Sequence, residues 1–230
     1  MGGNRIIRVG QGTLDTSARM IIAVDGPAAS GKGTIARALA AHYGLPHLDT
    51  GLLYRAVGIA VLEAGGDPGS AEDAQYAAEH LSSALDDPGL KSEAAGKAAS
   101  LVSVHPGVRA ALLDRQKRFA NQPGGAVLDG RDIGTVIAPH ADAKLFVTAS
   151  AEVRAERRYA ELSTMGLDVH LDAVLHDIRA RDERDSARSA APLRRADDAA
   201  LLDTSELGVE AAIAAAIALV EQRPFAAAND

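Results

Sequence analysis

The stretch Asp25 to Thr34, Asp-Gly-Pro-Ala-Ala-Ser-Gly-Lys-Gly-Thr, carries the strongest chemical signal in this 230-residue chain. Gly26, Gly31 and Lys32 stand at the spacing G-x-x-x-x-G-K. In that pattern backbone N–H groups wrap a polyphosphate, a helix N-terminus adds partial positive charge, and the lysine reaches the outer phosphates. The residues assigned to a bound polyphosphate are therefore Gly26, Pro27, Ala28, Ala29, Ser30, Gly31, Lys32, Gly33 and Thr34. The position after the lysine, where a hydroxyl would hold Mg²⁺, is Gly33, and the hydroxyl arrives one residue later at Thr34. A glycine turn that binds nothing is the bland alternative, and the flanking sequence argues against it.

Two further clusters carry chemistry. Asp49-Thr50-Gly51-Leu52-Leu53-Tyr54-Arg55 sets a hydroxyl and an arginine about one helical turn apart. Asp129-Gly130-Arg131-Asp132 ends an apolar run with a carboxylate, the arrangement in which an aspartate orients Mg²⁺ directly or through water. Nearer the C-terminus, Arg181, Asp185 and Arg188 recur at i, i+4 and i+7 and so share one helix face before Pro192. That spacing alone would read as a solvated salt-bridge face.

Positioning these groups requires strands that end where the clusters begin. Met20–Val24, Leu45–Leu48, Ala126–Leu128, Lys144–Thr148 and Ala199–Leu202 are apolar runs of strand length. Ile35, Leu39 and Tyr43 recur at helical spacing behind the first cluster, with Gly44 and Pro46 to stop the helix. A second helix runs from the Asp49 cluster to Glu63, and Pro106–Phe119 reads as another. Ser150 caps a helix carrying Arg154, Arg157 and Arg158, which Gly166 ends before a second helical run begins near His170. A last helix spans about 206 to 222. Five strands alternating with helices predict an α/β fold with one parallel sheet covered on both faces. Open sheets of this kind bind ligands at the carboxyl edge, where the clusters would meet.

The G-K-G-T loop resembles that of nucleoside monophosphate kinases, and together with Asp49-Thr50-Gly51-x-x-Tyr54-Arg55 and Gly130-Arg131-Asp132 the chain resembles the bacterial cytidylate kinases from about Met20 to Gln222. The resemblance implies a three-layer P-loop fold with a five-stranded parallel sheet, a small acceptor-nucleotide lobe at about 65–105, shorter and more helical than in many members, and a helical lid at about 151–190. It implies phosphoryl transfer from ATP, with Mg²⁺, to CMP or dCMP. Lys32, Asp129, Arg131, Arg157 and Arg188 become the catalytic candidates, and Arg157 and Arg158 join the loop around ATP. Thr50, Tyr54, Arg55, Ser100, Arg109, Arg131, Asp132, Arg181, Asp185 and Arg188 become the acceptor set, with Ser100, Arg109 and Asp132 on the base. Thr34 and Asp129 would support the metal, Asp129 directly or through water. Phosphate-loop kinases for adenylate, shikimate or gluconate would share the donor loop without the other two motifs, and a guanine-nucleotide switch would need an Asn-Lys-x-Asp run that this sequence lacks.

Composition narrows the partners. A net charge of -7 argues against a general nucleic-acid or membrane surface. No cysteine is present, so disulfides and thiol chemistry are excluded. The seven histidines show no metal-ligand spacing, and no apolar run approaches the ~20 residues of a membrane span. The chain is expected to be cytoplasmic and monomeric, with one domain over 20–224. Residues 1–19 read as a disordered, dispensable extension without strand or helix period, Met20 as the natural start, and 225–230 as a frayed tail.

Overall fold

Five apolar runs become five strands because their residues alternate between two covered faces. In β3 (Met20–Asp25), Ile22 and Val24 point one way and Ile21 and Ala23 the other, and all four are buried. The computed structural model describes residues 7–9, 12–14, 19–81, 85 and 87–222. Two short strands lie ahead of β3, β1 (Ile7–Val9) and β2 (Gly12–Leu14), paired antiparallel as a separate two-stranded sheet. This corrects the reading of residues 1–19 as free of strand. The rest of that extension, Asp86 and the tail beyond 222 lie outside the described residues.

From β3 the chain alternates: α1 (Lys32–Tyr43), β4 (His47–Asp49), α2 (Thr50–Glu63), α3 (Ala71–Glu79), a 3₁₀ turn at Pro88–Lys91, α4 (Glu93–Val102) and α5 (Pro106–Ala120). It continues through β5 (Gly125–Gly130), a single π turn at Ile133–Ile137, β6 (Ala143–Thr148), α6 (Ala151–Thr164), α7 (Leu171–Ala187), β7 (Ala200–Asp203) and α8 (Val209–Glu221). The main sheet is parallel throughout, in the order β4-β5-β3-β6-β7. Its register sets Asp25 opposite Gly130, and Asp49 opposite Asp129, so the three acidic strand ends sit on one edge.

Helices α1 and α8 cover one face through Ile35, Leu39, Ala216 and Val220, while Ala120 from α5 with Ile133 and Ile137 covers the other. Burying a side chain such as Leu39, fully enclosed here, contributes roughly 1.5–3 kcal/mol. A third cluster joins Leu53, Val57 and Val61 of α2 to Ala74 of α3, Val102 of α4 and Leu112 of α5. Helices α2 and α4 approach so closely at Gly58 that a Cβ there would lie 2.6 Å from that of Ala98. A fourth, small cluster packs Ala155 and Leu162 of α6 against Val174 and Ile178 of α7. Side-chain caps from Asp49, Ser70, Ser92 and Ser150 open α2, α3, α4 and α6.

Candidate functional site

The loop between β3 and α1 is held open toward solvent by its backbone. Gly26 has φ +157°, and a Cβ there would stand 2.0 Å from the Val147 carbonyl oxygen, so β6 excludes any other residue. Gly31 and Ala29 also take positive φ, 85° and 58°. Lys32 Nζ donates to the Pro27 carbonyl at 3.4 Å. Burial, followed by the nearby Arg131 charge, pulls the ammonium down to about 7. A bound polyphosphate would replace both penalties with a counter-charge.

Across from Lys32, Asp129 is 2 % exposed. Its Oδ1 accepts from His47 Nε2 at 2.7 Å, while Oδ2 faces Gly33, 3.7 Å from where a Cβ would lie. His47 is a partner that sequence reasoning missed; it reaches Asp129 because the register makes the two diagonal neighbours on one face of β4 and β5. The Asp49 carboxyl caps α2 through Gly51 N at 2.9 Å and is pushed up by burial and by the Asp129 charge. Thr34 Oγ1 accepts from Arg37 at 3.3 Å. Among the described residues no three carboxylates or histidines form a closed cage. Thr34 and Asp129 fit Mg²⁺, which binds one or two carboxylates and keeps waters and substrate oxygens, and whose charge would relieve the Asp49–Asp129 repulsion.

A cavity of about 830 Å³ runs from this loop, lined by Ala28, Lys32, Thr34, Asp129, Arg55 and Arg158 among others, toward α7. A smaller one of about 50 Å³ adjoins it, Gly51, Gly130, Arg131 and Arg181 lining both. Where they meet, Arg131 Nε donates to Asp185 Oδ2 at 2.7 Å and Arg188 Nη2 to Asp185 Oδ1. Asp185 is the only acid in this ion-pair group, and it is 2 % exposed. The buried Nε atoms of Arg181 and Arg188 have no hydrogen-bond partner among the described residues. Burial and neighbouring arginines pull Arg181 down to about 9 and Arg188 to about 10. Three arginines around one hydrogen-bonded carboxylate are chemically suited to receive an oxyanion, with Asp129, Asp49, Asp25 and Asp182 offsetting part of the Arg131 charge. Arg55 lines the same space, with its Nη1 on the Leu90 and Ser92 carbonyls of the lobe at 2.8 and 3.3 Å.

The small cavity is lined by Thr50, Tyr54, Arg109, Asp132 and Ser103. Arg109 pairs with Asp132 through Nη2 and lies 5.7 Å from the Tyr54 ring centroid. Thr50 Oγ1 donates to the Asp129 carbonyl at 2.8 Å. Ser100, assigned to this pocket from sequence, lines the larger cavity instead and accepts from Arg184 Nε at 3.1 Å. Ser103 takes the place in the small pocket, and its hydroxyl donates to the Ser100 carbonyl. One helical turn separates the two serines, so spacing alone could not choose between them.

The helices α6 and α7 correct one expectation. Arg157, assigned to the donor phosphates, lines neither cavity: its guanidinium donates to Thr204 Oγ1 at 3.0 Å and to the Thr204 carbonyl at 2.6 Å, beyond β7. Arg158 does line the large cavity, with Nη1 on Glu161. The buried Arg154, with no site role from sequence, donates to the Ala28 carbonyl at 3.3 Å and to both oxygens of Asp182 at 2.9 and 2.6 Å. Gly26, Pro27 and Ser30 also lie outside both cavities and shape the loop from behind.

Comparison with known proteins agrees with this geometry. A cytidylate kinase family model matches residues 22–222. A cytidylate kinase of Xanthobacter autotrophicus is 65 % identical over 204 residues, 89 % of this chain and 98 % of that one. One from Methylocella silvestris is 62 % identical over 203 residues, 88 % of this chain and 94 % of its own. A solved structure of an uncharacterized protein from Eubacterium ventriosum superposes with a TM-score of 0.52 at 14 % identity, covering 89 % of this chain and all of that one, which bears on the fold alone. With a family model spanning nearly the whole described sheet and its helices, and relatives of this identity along their full length, the chain belongs to the cytidylate kinase family.

Proposed function

We propose that this chain transfers the γ-phosphoryl group of ATP to CMP or dCMP, giving ADP and CDP or dCDP. The observation that carries the reading is the meeting of two cavities at Arg131 and Arg181, with Arg188 and Asp185 on the small-cavity side, Asp185 joining Arg131 to Arg188, and two buried guanidinium N–H groups without a hydrogen-bond partner among the described residues. On one side lies a loop built for a polyphosphate, on the other a small pocket holding an Arg–Asp pair. Lys32 and the loop amides hold the donor phosphates. Arg131 and Arg188 bridge donor and acceptor, Arg181 and Arg55 hold the acceptor phosphate, and Arg158 meets the donor from α6. Thr34 and Asp129 would hold Mg²⁺, which would supply positive charge to offset that of the donor phosphates.

Phosphoryl transfer asks for in-line placement and charge stabilisation rather than covalent help. No general base is assigned, because the acceptor phosphate is already largely ionised at neutral pH. α3 and α4 act as the acceptor lobe, and α6 with α7 as the lid. The chain works as a monomer, in the cytoplasm where its nucleotides are. A coupled assay of ADP formation with CMP, dCMP, UMP and AMP tests the reading. Turnover with CMP and dCMP well above UMP and AMP is expected; a preference for AMP, or ATP hydrolysis indifferent to the acceptor, overturns it.

A further inference from the structure

Asp25 ends the central strand β3 and is 5 % exposed. A carboxylate buried there needs compensation, and it has no ion pair among the described residues. Its partners are two backbone N–H groups from the turn that follows β5: Ile133 N donates to Oδ1 at 2.8 Å and Gly134 N to Oδ2 at 2.7 Å. Both belong to the first turn of the π turn Ile133–Ile137.

The first N–H groups of any helical turn lack partners within it, and the residue just before usually supplies an oxygen from its own side chain. Here that residue is Asp132, and its side chain makes no such cap. It is committed to Arg109 in the small cavity. The turn is held instead from β3. A Cβ on Gly134 would lie 3.3 Å from Asp25 Oδ2 and 3.1 Å from Lys144 Cδ, so the turn is seated hard against that strand. Lys144 offers Asp25 no charge, because its ammonium donates to the Pro139 carbonyl and to Asp198.

We propose that Asp25 is a positioning residue for acceptor recognition: it caps the turn after Asp132 from a neighbouring strand and thereby frees the Asp132 carboxylate to face the acceptor base, while fixing the backbone from which Arg131 reaches Asp185. The inference rests on the CMP kinase reading above. It assigns Asp25 to the acceptor side although its place in the sequence is the mouth of the donor loop.

The test compares Asp25→Asn, which keeps shape and one acceptor oxygen, with Asp25→Ala. Melting temperature and affinity for a non-hydrolysable ATP analogue monitor the fold and the donor loop, and steady-state kinetics are run with CMP and UMP. The expected result for Asp25→Asn is a loss of roughly ten- to hundred-fold in kcat/KM for CMP, seen mainly in KM. The ratio of CMP to UMP should fall, and analogue affinity should change by less than about three-fold, a spread well below that loss. Asp25→Ala should lose more in the same direction. A folded Asp25→Asn with an unchanged CMP to UMP ratio overturns the proposal, as does a loss carried by the ATP analogue, which would make Asp25 part of the donor loop. A wild-type protein that does not phosphorylate CMP overturns the functional reading itself; a wild-type that does, beside an unaffected variant, overturns only the role of Asp25.

Discussion

Arg131 and Asp185, 54 residues apart, are joined by a 2.7 Å hydrogen bond from Nε to Oδ2, and the other oxygen of the same carboxylate holds Arg188. Asp185 thus keeps together two arginines that would otherwise repel each other. Replacing it by Asn takes from both guanidiniums the carboxylate charge they hydrogen-bond, in a part of the fold where the side chains are 2–15 % exposed. Removal of one partner from such a pair costs about 3 kcal/mol or more. Asp185→Asn should therefore lower the urea midpoint, and CMP should restore more stability to it than to the wild type. A variant whose midpoint is unchanged would mean that solvent already carries the arginine charge.

Lys32 is used little by the fold, since its ammonium makes one long contact to Pro27. Lys32→Ala should melt within a few degrees of the wild type while kcat falls roughly 10²–10³-fold, the loss found when one preorganised donor to a developing charge is removed. Near-normal turnover would remove the loop from the mechanism.

Much of this site could be read from sequence because its strands announce themselves. An apolar run ending in Asp at Asp25 and Asp129, and a short one ending at Asp49, placed three loops on one edge, and the sheet register confirms the juxtaposition. The helix stops at Gly44 and Gly166 were legible for the same local reason. What escaped depends on partners remote in sequence. His47 was an ordinary strand residue until β4 lay beside β5, and Arg154 a lid arginine until its guanidinium met Ala28 and Asp182. Arg157 carried a donor role by resemblance, but Thr204 offers two oxygens where the lid helix passes β7. The π turn after Asp132 has no sequence period of its own, because its cap comes from Asp25.

The Arg154 clasp has a consequence for α7. Asp182 sits between Arg181 and the turn carrying Asp185, so the bidentate bond from Arg154 fixes the helix that presents the acceptor arginines. Asp182→Asn weakens that bond while keeping its shape. Because Asp182 is 28 % exposed, a cost of about 1–2 kcal/mol is expected. Amide exchange along Leu171–Ala187 should quicken by about ten-fold, the factor that such a local free-energy change sets. Unchanged protection would mean that the apolar contacts of Val174 and Ile178, with the Arg131–Asp185 and Arg184–Ser100 bonds, restrain α7 without the clasp.

Asp25 also gives the stability a pH dependence with a definite sign. Burial pushes its carboxyl from 3.8 up to about 7, with the Asp132 charge adding to the rise and the two backbone donors and Arg131 opposing it. Between those values the folded protein holds a proton that the unfolded chain has released, so stability from this group is greatest below about 3.8, falls as pH rises toward 7, and is level above. Asp25→Asn cannot release that proton. The stability difference between wild type and variant, measured by urea unfolding from pH 4 to 8 (about the span of the shift), should move against the wild type as pH rises and then level off. A difference independent of pH would mean that the two backbone N–H groups hold Asp25 ionised throughout.

Base choice follows from the pairing in the small cavity. Asp132 can only accept when ionised, and Arg109 can only donate. Cytosine presents an amine donor beside ring acceptors, so it satisfies both residues at once, whereas the carbonyl of uracil in place of that amine sets oxygen against the Asp132 carboxylate. A polar group left unpaired in a buried site costs roughly 1–3 kcal/mol, which corresponds to a preference for CMP of about ten- to hundred-fold. Asp132→Ala removes the acceptor and the clash together and leaves Arg109 free to donate to either base. Its kcat/KM should fall steeply for CMP and little for UMP, so that the preference collapses. Arg55→Ala is the contrasting case. Arg55 faces the large cavity and its losses, through the acceptor phosphate and the Leu90 and Ser92 carbonyls of the lobe, are blind to the base, so CMP and UMP should suffer alike. If Asp132→Ala weakens both substrates equally, the carboxylate serves to hold Arg109 in place, and recognition of the base must come from backbone groups and Ser103.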